Sequence, residues 1–309
     1  MSLEFGLLIP STPRPNNPLD KLLPANAELL QYAADNDLTA WFVDHFQVND
    51  LAYLECFAQL AHSAGRHPGL RLGTLVLGVG YRNPALVAKL SSSLDFLTGG
   101  KFILGIGAGW KEDEYLASGY PFPPAGERLE QLEEAIQLIK TMWTEKPANF
   151  QGKHFSVTNA FCEPRPNPHP ILMVGGGGEK KTLRIAAQYA DWWNVDYISP
   201  DAFAKKLAIL HRHCEELDRD PASITPTYYG VASISRDPSK VHRTPPPSFP
   251  PHAHIFGGSP EEVVKQFKAF EQTGVRHIQI LFLDYPNPEG RDLFINEVLP
   301  HFQPVQAAS

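Results

Sequence analysis

The chain has 309 residues, of which 43% are apolar and 20% are charged, a composition typical of a folded globular protein. Its net charge of −7 argues against the basic surface that binding to nucleic acid or to an anionic membrane requires. This length is enough for one large α/β barrel or for two ordinary domains.

The N-terminal sequence MSLEFGLLIP enters an apolar segment without the basic start of a signal peptide. No apolar run approaches the roughly 20 residues of a membrane-spanning helix. The three cysteines, Cys56, Cys162 and Cys214, are widely spaced, as is typical of reduced thiols. We therefore expect a cytoplasmic protein with no membrane partner.

Short apolar segments alternate with amphipathic segments along the chain. The predicted strands are residues 3–9, 40–44, 70–78, 101–106, 171–174, 192–196, 228–234 and 276–283. The predicted helices are residues 24–36, 50–65, 84–97, 127–142, 179–190, 201–217, 260–273 and 289–302. The predicted N-cap residues are Asp50, Asn83, Ser199 and Ser259.

The strands alternate poorly between apolar and polar residues, as strands buried on both faces do. This pattern of strand–helix units predicts one TIM (β/α)8 barrel over residues 1–309, with a doubly wound open sheet as the alternative. Two insertions interrupt the repeat. Residues 145–170 are expected to contain a hairpin, and the proline-rich residues 236–256 are expected to form an extended loop over one end of the barrel.

Polar residues and glycines gather where the predicted strands end, which is the face of a TIM barrel that carries active sites. The residues at these strand ends are Asp44, His45, Gly78, Tyr81, Arg82, Asn83, Gly107, Ala108, Gly109, Trp110, Gly175, Gly176, Gly177, Gly178, Asn194 and Asp196. A barrel with a purely structural role does not require this concentration, so we predict a functional site there.

Two glycine-rich segments invite different interpretations. In LGIGAGWKEDEY (104–115) the glycines are spaced two apart and acids follow, so a dinucleotide fingerprint is rejected. These glycines either admit a flat ring or form a tight turn. GGGGEKKTLRIAAQYADWW (175–193) places glycines between a strand and a helix, where free N–H groups bind phosphate. A merely flexible loop is the alternative.

The Asp44–His45 pair follows the second strand directly. A histidine at this position either contacts a substrate carbonyl or supports a neighbouring residue. The chain contains neither the H-E-x-x-H motif nor a paired C-x-x-C motif, so we predict no metal.

The segments GTLVLGVGYRNPALVAKLSSSLDFLTGGKFILGIGAGW (73–110) and PILMVGGGGEKKTLRIAAQYADWWN (170–194) resemble the bacterial luciferase-like superfamily. The resemblance implies a flavin or deazaflavin cofactor, with a non-prolyl cis peptide near Leu75–Val76. Its phosphate would lie at Gly175–Gly178. The predicted cofactor-binding residues are Thr74, Leu75, Val76, Asn83, Gly107, Ala108, Gly109, Gly175, Gly176, Gly177, Gly178 and Asn194.

The Asp44–His45 pair is similar to the branch of that superfamily that uses coenzyme F420. Trp110 stands where some members carry a glutamate proton donor, which argues against a glucose-6-phosphate dehydrogenase-like activity. Glu114, the nearest acid, is expected to support the loop.

The resemblance implies an F420-dependent oxidoreductase that transfers a hydride between the deazaflavin C5 and a small organic substrate, reducing an activated C=C or C=O. His45 would orient the carbonyl or supply a proton, with Asp44 beside it. Trp41, Phe46 and Trp110 would wall an apolar pocket. An FMN-dependent monooxygenase and a barrel without cofactor chemistry are the alternatives, and such barrels often form homodimers.

Overall fold

A computed structural model gives the fold and describes residues 2–13, 17–48, 50–246, 249–251 and 253–303. The strands are β1 (Glu4–Leu8), β2 (Thr39–Phe42), β3 (Gln47–Val48), β4 (Leu51–Ala52), β5 (Leu72–Thr74), β6 (Leu77–Gly78), β7 (Phe102–Gly107), β8 (Ala148–Gln151), β9 (Ser156–Ala160), β10 (Ile171–Gly175), β11 (Trp192–Asp196), β12 (Thr225–Ile234), β13 (Ile255–Gly258) and β14 (His277–Phe282). The helices are α1 (Leu19–Asp35), α2 (Cys56–Arg66), α3 (Pro84–Leu97), α4 (Glu112–Ala117), α5 (Ala125–Thr144), α6 (Thr182–Tyr189), α7 (Pro200–Glu216), α8 (Pro260–Gln272) and α9 (Glu289–Leu293).

Parallel strands close into a barrel in the order β1, β2, β5, β7, β10, β11, β12 and β14. β14 then pairs with β1, with Phe5 opposite Ile278, which completes the ring. The predicted TIM barrel is therefore confirmed and the open sheet is wrong. Among the described residues, no helix is long and apolar enough to cross a lipid bilayer.

Neighbouring side chains on a barrel strand enter two different apolar layers. Leu7 and Leu104 pack in the layer between the strands and the helices. Leu8 and Ile103, one residue away, belong to the cluster that fills the barrel. Because successive side chains point to opposite faces of a strand, both faces must be apolar, which explains the poor alternation in the sequence.

Local capping sets where the helices begin. The predicted caps Asn83, Ser199 and Ser259 are confirmed, since each side chain accepts a backbone N–H at the start of α3, α7 or α8. A proline follows each cap, and its fixed φ suits the first helical position.

The predicted cap at Asp50 is wrong. Residues 47–48 pair with residues 51–52 as the small antiparallel β3–β4 hairpin, and α2 begins only at Cys56. Glu55 is its cap, accepting from the backbone N–H of Ala58 at 2.7 Å. The first helix also differs in its bounds, since α1 begins five residues earlier than predicted and contains Pro24. The predicted closing helix at 289–302 is helical to His301, because α9 continues as a π-helical turn at Phe294–Val298 and a 3₁₀ turn at Leu299–His301.

Both predicted insertions are present. Residues 145–170 contain the β8–β9 hairpin, as expected. The 236–256 segment is less extended than predicted, because it includes a 3₁₀ turn at Pro238–Lys240 and the start of β13. Within its described part, the Phe249 ring lies 6.0 Å from that of Tyr197, which follows β11. The segment therefore contacts the carboxyl end of the barrel.

Candidate active site

A bulge in the barrel wall lies between β5 and β6. Gly73 pairs with Ile103 and Leu77 pairs with Ile106, so one extra residue is accommodated on this side. The Leu75–Val76 peptide within the bulge is cis, as the resemblance implied. The buried Thr74 ties the bulge to β7. Its hydroxyl accepts the N–H of Gly105 and donates to the Gly105 carbonyl, each at 2.7 Å.

Val76 is the point at which the two glycine-rich segments meet. A Cβ on Gly105 would lie 2.9 Å from a Val76 methyl carbon, and a Cβ on Gly107 would lie 3.1 Å from the other. A Cβ on Gly175 would lie 2.7 Å from Cγ2 of Val76, the same methyl carbon that faces Gly107. These three glycines therefore make room for the bulge and leave bare backbone around it.

Gly109 is glycine for a different reason. Its φ is +75°, a left-handed conformation, and a Cβ would collide with the Tyr115 hydroxyl oxygen. Tyr115 stacks on Tyr81 at 4.0 Å between ring centroids, and Phe46 packs on Tyr81 at 4.7 Å. The predicted pocket residue Phe46 thus belongs to an aromatic cluster that supports the site.

His45 is held by a buried carboxylate. Its Nδ1 lies 2.8 Å from Oε2 of Glu114, whose side chain is 0% exposed. The other Glu114 oxygen accepts the backbone N–H groups of Phe46 and, at 3.1 Å, Gln47. Burial by itself raises the pKa of Glu114, but the hydrogen bonds from His45 and these two N–H groups outweigh it and lower the pKa.

The outer side of the His45 ring is accessible. The side chain is 21% exposed, and the hydrogen bond that the ring makes to a described residue runs through Nδ1 and leaves Nε2 unused. Trp110, 71% exposed, stands perpendicular to the imidazole with the ring centroids 6.0 Å apart. Trp110 therefore lies beside His45, as the predicted pocket requires.

Asp44 is fully engaged within the protein. Both its carboxylate oxygens accept from Arg82 at 2.8 Å, and one also accepts from the N–H of Gly78. Burial raises the pKa of Asp44 even though Arg82 opposes that shift. Asp44 therefore connects the end of β2 to the segment before α3.

Trp41 does not line a pocket. It is 0% exposed and belongs to the cluster inside the barrel. Glycine at positions 6 and 73 makes room for its ring, and its indole N–H donates to Nε2 of His277 at 3.2 Å. The prediction is wrong because the Trp41 side chain points into the barrel and fills it.

The glycine loop, where a phosphate site is predicted, lies between β10 and α6. Gly176 has φ +120° and donates its N–H to the carbonyl of Asn194 at 2.9 Å. Among the described residues, the N–H groups of Gly177 and Gly178 have no acceptor. α6 begins at Thr182, three residues later than predicted, so its amino end faces this loop.

Two other predicted cofactor residues make contacts within the protein. The Asn194 amide, inside the barrel, donates to Thr227 Oγ1 and to Gln279 Oε1 at 2.9 Å each. The exposed Asn83 uses its side-chain oxygen to accept the Ala85 N–H. Asn194 is the central residue of β11, and Asn83 is the cap of α3.

The sequence indicates His45 and the glycine loop, but it does not indicate the residues that hold them in place. Glu114 was expected only to support the loop, and no local pattern separates it from Glu112 or Asp113. Lys206 on α7 donates from its ammonium to the carbonyl of Gly177 at 2.8 Å, and no sequence pattern near Lys206 indicates this contact. Both contacts bring together distant parts of the chain, so only the fold reveals them.

A cavity of about 170 Å³ lies outside this site, between α1 and α2. Leu23, Leu30 and Phe42 are among its lining residues. None of the predicted site residues lines it.

Comparison with known proteins decides the family. The family model described as luciferase-like monooxygenase matches residues 3–257. The chain belongs to this family. The luciferase-like chain is 36% identical over 144 residues to an F420-dependent glucose-6-phosphate dehydrogenase of Kineococcus radiotolerans, a match covering 45% of this chain and 42% of that relative. The matched region thus spans less than half of the relative's length.

Two longer matches accompany it. The luciferase-like chain is 25% identical over 342 aligned positions to a phthiodiolone/phenolphthiodiolone dimycocerosates ketoreductase of Mycobacterium tuberculosis, covering 92% of this chain and 86% of that protein. It superposes on an F420-dependent secondary alcohol dehydrogenase, in complex with an F420-acetone adduct, with a TM-score of 0.84 and 18% identity, covering 98% of this chain and all of the other. At 18% identity, this superposition shows that the two chains share a fold.

Proposed function

We propose that this chain is a coenzyme F420-dependent oxidoreductase that transfers a hydride between the deazaflavin C5 and a small organic substrate, reducing an activated C=C or C=O. The observation that carries the proposal is the His45 imidazole, fixed through Nδ1 and accessible at Nε2, at the glycine-lined ends of the strands. The F420-dependent relative supports the choice of coenzyme.

The residues present fit such a coenzyme. The unpaired N–H groups of Gly177 and Gly178, beside the amino end of α6, suit a phosphate. The bare backbone at Gly107 and Gly175, on either side of Val76, suits a flat ring. When bound, reduced coenzyme F420 supplies a hydride from C5 of its ring.

The protein supplies the proton. In its protonated form, with a proton on each ring nitrogen, His45 would donate a hydrogen bond from Nε2 to the substrate carbonyl oxygen and give it that proton, while Nδ1 keeps its own. Trp110 covers one side of the imidazole and presents an apolar surface to the substrate. We therefore expect small uncharged substrates with apolar substituents.

An FMN-dependent monooxygenase is the second candidate. The family model carries that description, and a glycine cradle for phosphate suits FMN equally well. Such an enzyme would consume oxygen, whereas the proposed reductase would not.

Anaerobic mixing tests the proposal. The purified protein is mixed with reduced F420 and a panel of cyclic enones, aldehydes and ketones, and the absorbance of the oxidised deazaflavin is followed. We expect reoxidation that depends on both protein and substrate. Oxygen uptake with reduced FMN, together with no reoxidation of F420 by any member of the panel, would favour the monooxygenase.

A further inference from the structure

We propose that Glu114 is a positioning residue that keeps the proton of His45 on Nδ1 and so leaves Nε2 available to the substrate. The catalytic consequence rests on the proposed function. The contact itself lies within the protein and is open to test without coenzyme.

The hydrogen bonds around Glu114 determine where the His45 proton lies. One oxygen accepts two backbone N–H groups, from Phe46 and Gln47, and the other faces Nδ1 of His45 at 2.8 Å. The lowered pKa of Glu114 makes it a carboxylate, which can only accept hydrogen bonds. Nδ1 must therefore carry a proton whether or not the ring is charged, so Nε2 is the nitrogen that takes up a second proton and gives it to the substrate.

The same contacts suggest a simpler role, in which Glu114 only ties residues 45–47 to α4. The two roles differ in what Glu114→Gln would do. The glutamine oxygen would still accept the N–H groups of Phe46 and Gln47, so the loop keeps its support. The glutamine NH₂ would then face His45 and donate to Nδ1, which forces the proton onto Nε2.

Nitrogen NMR of ¹⁵N-histidine-labelled apo-protein distinguishes the two roles, with the His45 signal assigned from its loss in His45→Gln. We expect the Nδ1–H tautomer in the wild type and the Nε2–H tautomer in Glu114→Gln. Glu112→Gln, on an exposed position of the same helical turn, is the matched control and should resemble the wild type. An Nε2–H tautomer in the wild type overturns the proposal even if the variant does not fold.

Turnover gives the second readout. Glu114→Gln should lower kcat about 100-fold, within the range that general acid–base groups contribute, with little change in KM. This loss is expected because the glutamine NH₂ opposes a proton on Nδ1, and the ring would have to give up its only proton. In a His45→Gln background it should have no further effect, because Glu114 acts through His45. An equal loss in both backgrounds would show a structural role. If reduced F420 is never reoxidised, the proposed function fails, and the tautomer result still decides the role of Glu114.

Discussion

His45 is the residue on which the proposed chemistry depends, because its position combines a fixed ring with an accessible nitrogen. Its place after the second strand was visible in the sequence, and so were the glycines. The sequence did not show why these positions must be glycine. Gly105, Gly107 and Gly175 accommodate Val76, and Gly109 accommodates Tyr115, through contacts that join separate strands and loops.

The first prediction concerns the proton. His45→Gln should lower the rate of substrate reduction about 10²–10⁴-fold, the contribution of a general acid, while the affinity for F420 changes little. Stopped-flow measurement of single turnovers checks the rate. His62→Gln, on α2, should behave as the wild type. A His45→Gln rate within threefold of the wild type would remove His45 from the mechanism.

The second prediction concerns the bare backbone. Gly175→Ala places a methyl group 2.7 Å from a Val76 methyl carbon. The overpacking should lower the free energy of unfolding by about 1–3 kcal/mol and weaken coenzyme binding. Denaturant unfolding and a binding titration measure both effects. Gly65→Ala, whose added methyl meets nothing within 4 Å, should leave binding intact and should not destabilise the protein. Wild-type binding by Gly175→Ala would contradict this account.

At the scale of elements, Arg82 connects three parts of the site. Its guanidinium bonds Asp44, after β2, and Glu55, the cap of α2, while Arg82 itself precedes α3. Capping residues such as Asn83 could be predicted because a cap and its helix are neighbours in sequence. The β3–β4 hairpin could not, since two-residue strands leave no readable alternation.

The third prediction follows from this ion pair. Arg82→Met leaves the buried Asp44 carboxylate unpaired, and the free energy of unfolding should fall by about 3–5 kcal/mol. Chemical denaturation measures the change. Arg71→Met, at an exposed ion pair with Glu4, should change stability by less than about 1 kcal/mol. Equal changes in the free energy of unfolding for the two substitutions would show that the buried Asp44–Arg82 pair stabilises the fold no more than the exposed Arg71–Glu4 pair does.

At the scale of the whole molecule, the strand–helix repeat predicted the barrel because alternating periodicities persist along the chain. The sequence did not predict which side chains fill the inside of the barrel. Trp41 fills the barrel and contacts His277, which is 1% exposed. A homodimer stays a prediction, which sedimentation equilibrium of the purified protein would test.

The fourth prediction concerns pH and stability. Burial lowers the pKa of His277 below its ordinary value of 6.5, although Glu4 opposes this. The unfolded chain therefore takes up a proton first, so stability is fully present above pH 6.5 and falls as the pH drops from 6.5 to the lowered pKa of the folded state. His277→Gln retains an acceptor for Trp41 and should flatten this dependence. Unfolding of this variant and of His301→Gln across pH checks it, and an unchanged slope in His277→Gln would contradict it.

The central claim is dependence on coenzyme F420, and a binding titration of the apo-protein tests it most directly. Oxidised F420 and FMN are titrated in parallel, and tryptophan fluorescence is followed, because Trp110 stands beside the proposed site. We predict saturable binding of F420 and none of FMN. Binding of FMN alone would contradict the claim and make oxygen the expected co-substrate, and binding of neither would show that the loop at Gly175–Gly178 is not a coenzyme site.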